Sequence, residues 1–270
     1  MKQTSRASWS LLVLMFVFVA CSTVPLTGRK QLNIIPSSTM LSMSYQEYGE
    51  FLQSNKLSTN QAATAMVKNV GARIAKAVEQ YMAQQGLSAQ LKGYAWEFNL
   101  VESNDVNAWC MPGGKVVFYT GILPLTKDET GLGVVMGHEI AHAVAEHGGE
   151  RMSQGLLAEM GGMALSAALD KEPEKTKALW MTAFGIGAQV GVLLPFSRTQ
   201  ESEADRLGLI FMSMAGYDPN ASVSFWERMA AQKGGQSPPE FLSTHPSDQT
   251  RINDIKKHLP EAMRYYKPGG

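Results

Sequence analysis

The sequence predicts an α+β fold, mostly helical, with a small antiparallel sheet that presents an edge strand. Three observations lead there. Long segments carry apolar residues at helical spacing, one stretch alternates strictly, and a Pro-Gly-Gly turn separates two short β-type runs. The strands are too few for a barrel or sandwich, and the chain beyond that turn is almost entirely helical.

In chain order, Lys2 and Arg6 precede a charge-free run from Leu11 to Ala20, too short to span a bilayer but the right length for a secretion leader. It ends Phe18-Val19-Ala20 before Cys21, the pattern of a bacterial lipobox, so residues 1–20 read as a leader and Cys21 as a lipidated first residue. Residues 21–37 hold Pro25, Gly28 and Pro36 without apolar periodicity and read as a tether. The remaining domain is expected over 38–270. Met40 to Leu52 and Asn60 to Met82 have helical periodicity, the second through Val67, Val70, Ile74 and Tyr81. Tyr94, Trp96, Phe98 and Leu100 alternate as a half-buried strand. Asn107 to Met111 and Val116 to Tyr119 flank Pro112-Gly113-Gly114-Lys115, a β-hairpin whose two glycines supply positive φ.

Composition narrows the chemistry. The chain has 24 basic and 24 acidic residues, so nothing points to nucleic acid as a partner. Two cysteines exclude a disulfide framework and any multi-thiolate metal site, so a metal here must be held by nitrogen and oxygen. Cys110 reads as a small buried hydrophobe.

The segment from Thr126 carries that chemistry. Thr126 and Glu129 fit a capping box, and the helix expected beyond them bears His138-Glu139-Ile140-Ala141-His142. Two histidines four apart share a helix face, so both imidazoles can reach one ion while Glu139 is placed to take a proton from water. A metal-binding histidine six residues after His142 is ruled out, because that position is Gly148. A second helix, Arg198 to Met214, places Glu201 and Asp205 on one face: Glu201 as third ligand, Asp205 as acceptor of a ligand histidine's outer N–H. His147 and His258 read as solvated, and Glu203, two positions from Glu201, as a surface charge. Leu156 to Leu169 and the charge-free Ala178 to Phe196 read as a buried or partly exposed helical hairpin, with a membrane hairpin as the alternative.

Five segments resemble peptidase family M48 in its bacterial envelope lipoprotein and periplasmic members: CSTVPLTGRKQL, NAWCMPGGKVVFYTGIL, GHEIAHAVAEHGGER, ESEADRLG and STHPSDQTR. The resemblance implies a minimal gluzincin fold and one zinc ion held by His138, His142 and Glu201. It also implies an endopeptidase that uses Glu139 as base and Asp205 behind the ligands. His245 and Arg251 are the matching C-terminal residues: His245 either donates to the oxyanion with Arg251 assisting, or occupies zinc's fourth position. Asn107, Ala108, Trp109, Cys110 and Met111 would take substrate as an added strand, which suits unfolded or misassembled envelope polypeptides as clients. The rivals are a non-hydrolytic assembly factor or chaperone, and a hydrolase of small molecules or peptidoglycan peptides. With Cys21 lipidated and followed by Ser22, the expected location is the bacterial cell envelope, anchored by lipid in the outer membrane and facing the periplasm.

Overall fold

The chain begins as a hairpin, β1 (Cys21–Thr23) paired antiparallel with β2 (Lys30–Leu32). Folded structure therefore starts before Ser38, inside the segment expected to be a tether. Val24 is fully buried in the main core, and Gly28, at φ 74°, sits in the turn. Composition hides this hairpin because each strand is only three residues long and its anchor lies far along the chain. The computed structural model describes residues 21–161, 164–186, 197–232, 239–246 and 249–268. The leader and residues 187–196 of the long apolar stretch lie outside these.

Helix α1 (Ser37–Ser54) buries Met40, Tyr48 and Phe51 on one face. Helix α2 (Gln61–Gln84) is capped by the Asn60 side chain, which accepts from the Ala63 amide, and buries Val67, Val70, Ile74, Val78 and Tyr81. The periodicity had marked both helices. After them come β3 (Glu97–Val101), β4 (Ala108–Met111) and β5 (Lys115–Tyr119), in the spatial order β3-β5-β4.

The β4–β5 hairpin is antiparallel with Cys110 opposite Val116, and Gly113 and Gly114 have φ of 81° and 78° as the turn requires. The sheet is mixed rather than purely antiparallel, because β3 pairs parallel with β5. That pairing comes from chain order: β4 turns back at the far edge, so β5 returns in the direction of β3 and fills the centre. Both faces of the sheet are covered. Phe98, Leu100, Ala108, Cys110, Val116 and Phe118 enter one core, while Val101, Trp109, Met111, Val117 and Tyr119 enter a second against α1.

A short turn, α3 (Leu123–Thr126), leads into α4 (Glu129–Val144). The cap of α4 is Asp128, which accepts from the Gly131 amide at 2.8 Å, not Thr126. Thr126 belongs to the preceding turn, where its hydroxyl donates to the Leu123 carbonyl, and Lys127 at φ 70° separates the two helices. Helices α5 (His147–Met160), α6 (Leu165–Lys171) and α7 (Pro173–Ala183) come next, and Trp180 and Leu179 of α7 are buried in the second core. Among the described residues no helix is long and apolar enough to cross a membrane.

Helix α8 (Arg198–Met214) opens with a capping box between Ser197 and Gln200, and α9 (Ala221–Ala231), α10 (Glu240–Thr244) and α11 (Gln249–Ala262) complete the body. Helices α4 and α8 touch backbone to backbone at two glycines. A Cβ on Gly137 would lie 2.7 Å from the Gly208 carbonyl oxygen, and one on Gly208 would lie 2.8 Å from the His138 nitrogen. This close crossing brings the face of α4 that carries the two histidines against the acidic face of α8.

Candidate metal centre

The side chains of His138, His142, Glu201 and His245 converge, each offering a ligand atom within 4.8 Å of the others. All four are buried. The Nε2 atoms of His138 and His142 are 3.0 Å apart, His245 Nδ1 is 3.2 Å from His138 Nε2, and Glu201 Oε1 is 2.9 Å from His245 Nδ1 and 3.3 Å from His142 Nε2. Ligands at about 2.0–2.1 Å around tetrahedral zinc stand about 3.3 Å from each other, so the donor atoms are spaced as one such ion demands.

The hydrogen bonds on the outer side of each ring strengthen the fit. His138 Nδ1 lies 2.9 Å from Asp205 Oδ1, so the proton sits there and the Nε2 lone pair faces inward. His142 Nδ1 lies 2.8 Å from His147 Nδ1, while His147 Nε2 lies 2.9 Å from Glu203 Oε2. The Glu203 carboxylate only accepts, so His147 carries its proton on Nε2 and accepts from His142 Nδ1–H. His142 therefore also turns a lone pair inward. Two lone pairs 3.0 Å apart repel unless a cation lies between them, which makes this donor set fit for a metal.

Arg251 fixes the acidic side. Its guanidinium forms a fork on Asp205, with Nε and Nη2 each 2.8 Å from a carboxylate oxygen, pairs with Glu201 through Nη1, donates to the Pro246 carbonyl and lies 3.5 Å over the Trp226 ring. Burial alone would raise the Glu201 and Asp205 carboxyls. The Arg251 charge outweighs it and holds Glu201 well below the usual carboxylate range and Asp205 below its own. Glu139 lacks such a partner: burial, reinforced by the charge of Glu201, pushes its carboxyl well above the ordinary value. Its Oε1 has no hydrogen-bond partner among the described residues, and His245 Nε2 is 3.6 Å away. Burial also lowers His245 to about 4, and His142 well below its ordinary value with the help of neighbouring His138.

Two expectations are corrected here. His147 is fully buried rather than solvated, and Glu203 is buried and paired rather than a surface charge. Spacing within α8 directs Glu203 away from Glu201, but that face meets α5 and the N-terminal hairpin instead of water. The GHEIAHAVAEHGGER segment holds three of the chain's five histidines, which was the available signal. His258 is partly exposed, 3.7 Å from Asp254.

Strand β4 is the edge on its side of the sheet, but its residues are buried. Asn107 donates to the Gly185 carbonyl at 3.1 Å, so the chain after α7 reaches the start of that edge, and Gly185 also lies against Thr244 beside His245. Cys110 sits in the main core, its thiol held well above the ordinary value by burial and by the charge of Glu139. A cavity of about 460 Å³ opens beside Glu201 and Arg251.

A helix presenting His-Glu-x-x-His to a glutamate from a second helix, with buried carboxylates behind, defines the HExxH class of zinc metallohydrolase. Residues 68–259 match the description of peptidase family M48. The chain belongs to peptidase family M48, whose members are zinc metalloendopeptidases. It is 35% identical over 252 residues to the mitochondrial metalloendopeptidase OMA1 of Schizosaccharomyces pombe, covering 92% of this chain and 69% of that one. It is 32% identical over 268 residues to the mitochondrial metalloendopeptidase OMA1 of Bos taurus, covering 96% of this chain and 50% of that one. Against the beta-barrel assembly-enhancing protease of Yersinia pestis the identity is 32% over 165 residues, 60% of this chain and 34% of that one. These matches correct the expected location. The relatives that align over most of the chain are named as mitochondrial proteins, which contradicts the bacterial outer membrane expected from the leader.

Proposed function

We propose that this chain cleaves internal peptide bonds of unfolded or misassembled polypeptides, with His138, His142 and Glu201 as the residues that would hold zinc and Glu139 as the base. The reading is carried by the convergence of His138, His142, Glu201 and His245 on one point, with the buried Glu139 carboxylate beside them, its Oε1 3.6 Å from His245 Nε2 and without a hydrogen-bond partner among the described residues. Zinc bound there supplies Lewis acidity, which polarises a carbonyl and acidifies water. Glu139 takes the proton of the attacking water and returns it to the leaving amine. Asp205, held by Arg251, keeps His138 in the tautomer that presents Nε2 inward.

His245 stands as a fourth donor in this conformation, stacked on Phe241 at 4.6 Å between ring centroids. We read it as a plug that substrate must displace. Arg251 is committed to Asp205, Glu201 and the Pro246 carbonyl, which suits holding the site together better than contacting an oxyanion. Residues Asn107 to Met111 are at most 4% exposed, so they can take an extended chain by main-chain pairing only where the segment at Gly185, bonded to Asn107, draws back from that edge. The client class we favour is misfolded or misassembled envelope polypeptides, a reading supported by the name of the Yersinia pestis relative and by a putative beta-barrel assembly-enhancing protease of Vibrio cholerae, 31% identical over 178 residues.

The test incubates purified chain with a reduced, unfolded protein and stoichiometric zinc. Wild type is expected to cleave, and Glu139→Gln to keep its zinc while losing about 10²–10⁴-fold in rate. Undiminished cleavage by Glu139→Gln sinks the mechanism, and a wild type that binds unfolded chain without cutting it supports the chaperone rival. His245→Ala raises the rate if His245 is a plug and lowers it about a hundredfold, with zinc retained, if it is an oxyanion donor.

A further inference from the structure

The Thr27-Gly28-Arg29 segment of the N-terminal hairpin has no part in that reaction, yet its side chains reach toward the centre. Arg29 Nε lies 2.7 Å from Glu203 Oε2, and its Nη1 and Nη2 lie 3.0 and 2.8 Å from the two carboxylate oxygens of Glu150. Thr27 donates its hydroxyl to Glu203 Oε1. Gln200 Nε2 adds a bond to Glu150 Oε2 at 2.8 Å, which ties α8 to α5 a second time. One guanidinium thus bridges an acid on α5 and an acid on α8, and Glu203 is held from two sides with its Oε2 aimed at His147.

We propose that Thr27, Arg29, Glu203 and His147 are positioning residues that set the tautomer and orientation of His142, making the N-terminal hairpin a working part of the metal centre. The inference rests on the reading of His142 as a zinc ligand. The polarity runs one way. Glu203 accepts from His147 Nε2–H, which leaves His147 Nδ1 as an acceptor and obliges His142 to place its own proton on Nδ1. Among the described residues, Glu203 is the acceptor that holds the His147 proton on Nε2 before any metal binds. A His147 carrying its proton on Nδ1 would drive the His142 proton to Nε2, where it blocks ligation. The carboxylate at the end of the relay also makes His142 a stronger donor, as a carboxylate bonded directly to a ligand histidine does. His147 is fully buried, so water does not compete for either ring nitrogen.

The experiment measures zinc affinity by competition with a chromogenic chelator, the visible band of the cobalt(II)-loaded chain, and the melting temperature of the metal-free chain. Variants are Glu203→Gln, His147→Phe, Arg29→Ala and Arg29→Lys, with His142→Ala as control. Glu203→Gln and His147→Phe are expected to bind zinc about 10–100-fold more weakly and to shift the cobalt band. Arg29→Ala should fall between wild type and Glu203→Gln, and Arg29→Lys should recover part of the loss. Zinc affinity and cobalt band both unchanged in Glu203→Gln and His147→Phe overturn the proposal even if melting falls, because the hairpin is then only a staple. If His147→Phe does not fold, the isosteric Glu203→Gln and the Arg29 pair decide. Wild-type zinc affinity in His142→Ala would instead overturn the assignment of the metal site itself.

Discussion

His138 and His142 sit one helical turn apart on α4 with their Nε2 atoms 3.0 Å from each other, yet they are supported in opposite ways. His138 meets a carboxylate directly, Asp205, whose own partner Arg251 is buried. His142 meets a second imidazole first, and its carboxylate, Glu203, is one ring further out and anchored by a half-buried arginine. The first support is a short, closed unit drawn from α8 and α11. The second is a longer line that leaves the helical body and ends in the hairpin at residues 21–32. The difference teaches that two equivalent ligands can depend on parts of the chain of very unequal security.

The largest expected effect treats the two alike: His138→Ala and His142→Ala should each abolish stoichiometric zinc, measured by metal analysis, and lower cleavage by about a thousandfold or more. A variant that keeps full zinc would break the symmetry of the pair. The next separates the anchors. Arg251→Ala leaves Glu201 and Asp205 buried without their counter-charge and should cost the metal-free chain about 3–5 kcal/mol in urea unfolding. Arg29→Ala should cost less, about 1–3 kcal/mol, because its guanidinium is about a fifth exposed and the buried Glu203 and Glu150 keep partners in Thr27, His147 and Gln200. Equal costs would mean that the hairpin is bound as firmly as the interior.

A finer comparison uses zinc affinity, where Asp205→Asn should lose nearer the upper end and Glu203→Gln nearer the lower end of the roughly 10–100-fold range for groups that orient a ligand. The smallest effect is in pH. Hydrogen bonds from His147, Thr27 and Arg29 outweigh burial and depress Glu203 from 4.5 to about 2. Its stabilising contribution to the metal-free chain is therefore complete above pH 4.5 and fades as pH falls toward 2, so the gap in unfolding free energy between wild type and Glu203→Gln should narrow over that window.

The shorter support was legible except for Arg251, which the sequence pattern suggests for the oxyanion and the structure places on Asp205. Glu201 and Asp205 lie four apart on one helix, and His138, Glu139 and His142 lie together on another, so helical spacing alone suggested which side chains could meet. The longer support was missed because its members belong to three elements, and helical spacing says nothing about what packs on the opposite face. His147 and Glu203 looked exposed when considered on their own helices. Only the docking of Arg29 and Thr27 turns that face into an interior. The β4–β5 hairpin could be read from Gly113 and Gly114, whereas the parallel partnership of β3 with β5 depends on strand order, which no local pattern encodes. The α4 cap was misplaced for a similar reason, since Thr126 is drawn into the preceding turn.

The glycine contact between α4 and α8 has a bearing on which ion the site accepts. With no side chain between Gly137 and Gly208, the gap between the histidine-bearing helix and the glutamate-bearing helix is set by main-chain atoms in van der Waals contact, the least adjustable spacer a protein has. The two helices therefore act as the jaws of a fixed gauge. Core substitutions elsewhere reach the donor atoms weakly, while a single methyl at Gly208, which would meet His138 N at 2.8 Å, must open the jaws. A wider opening favours ions larger than zinc, so Gly208→Ala is expected to raise the cadmium-to-zinc affinity ratio of the centre.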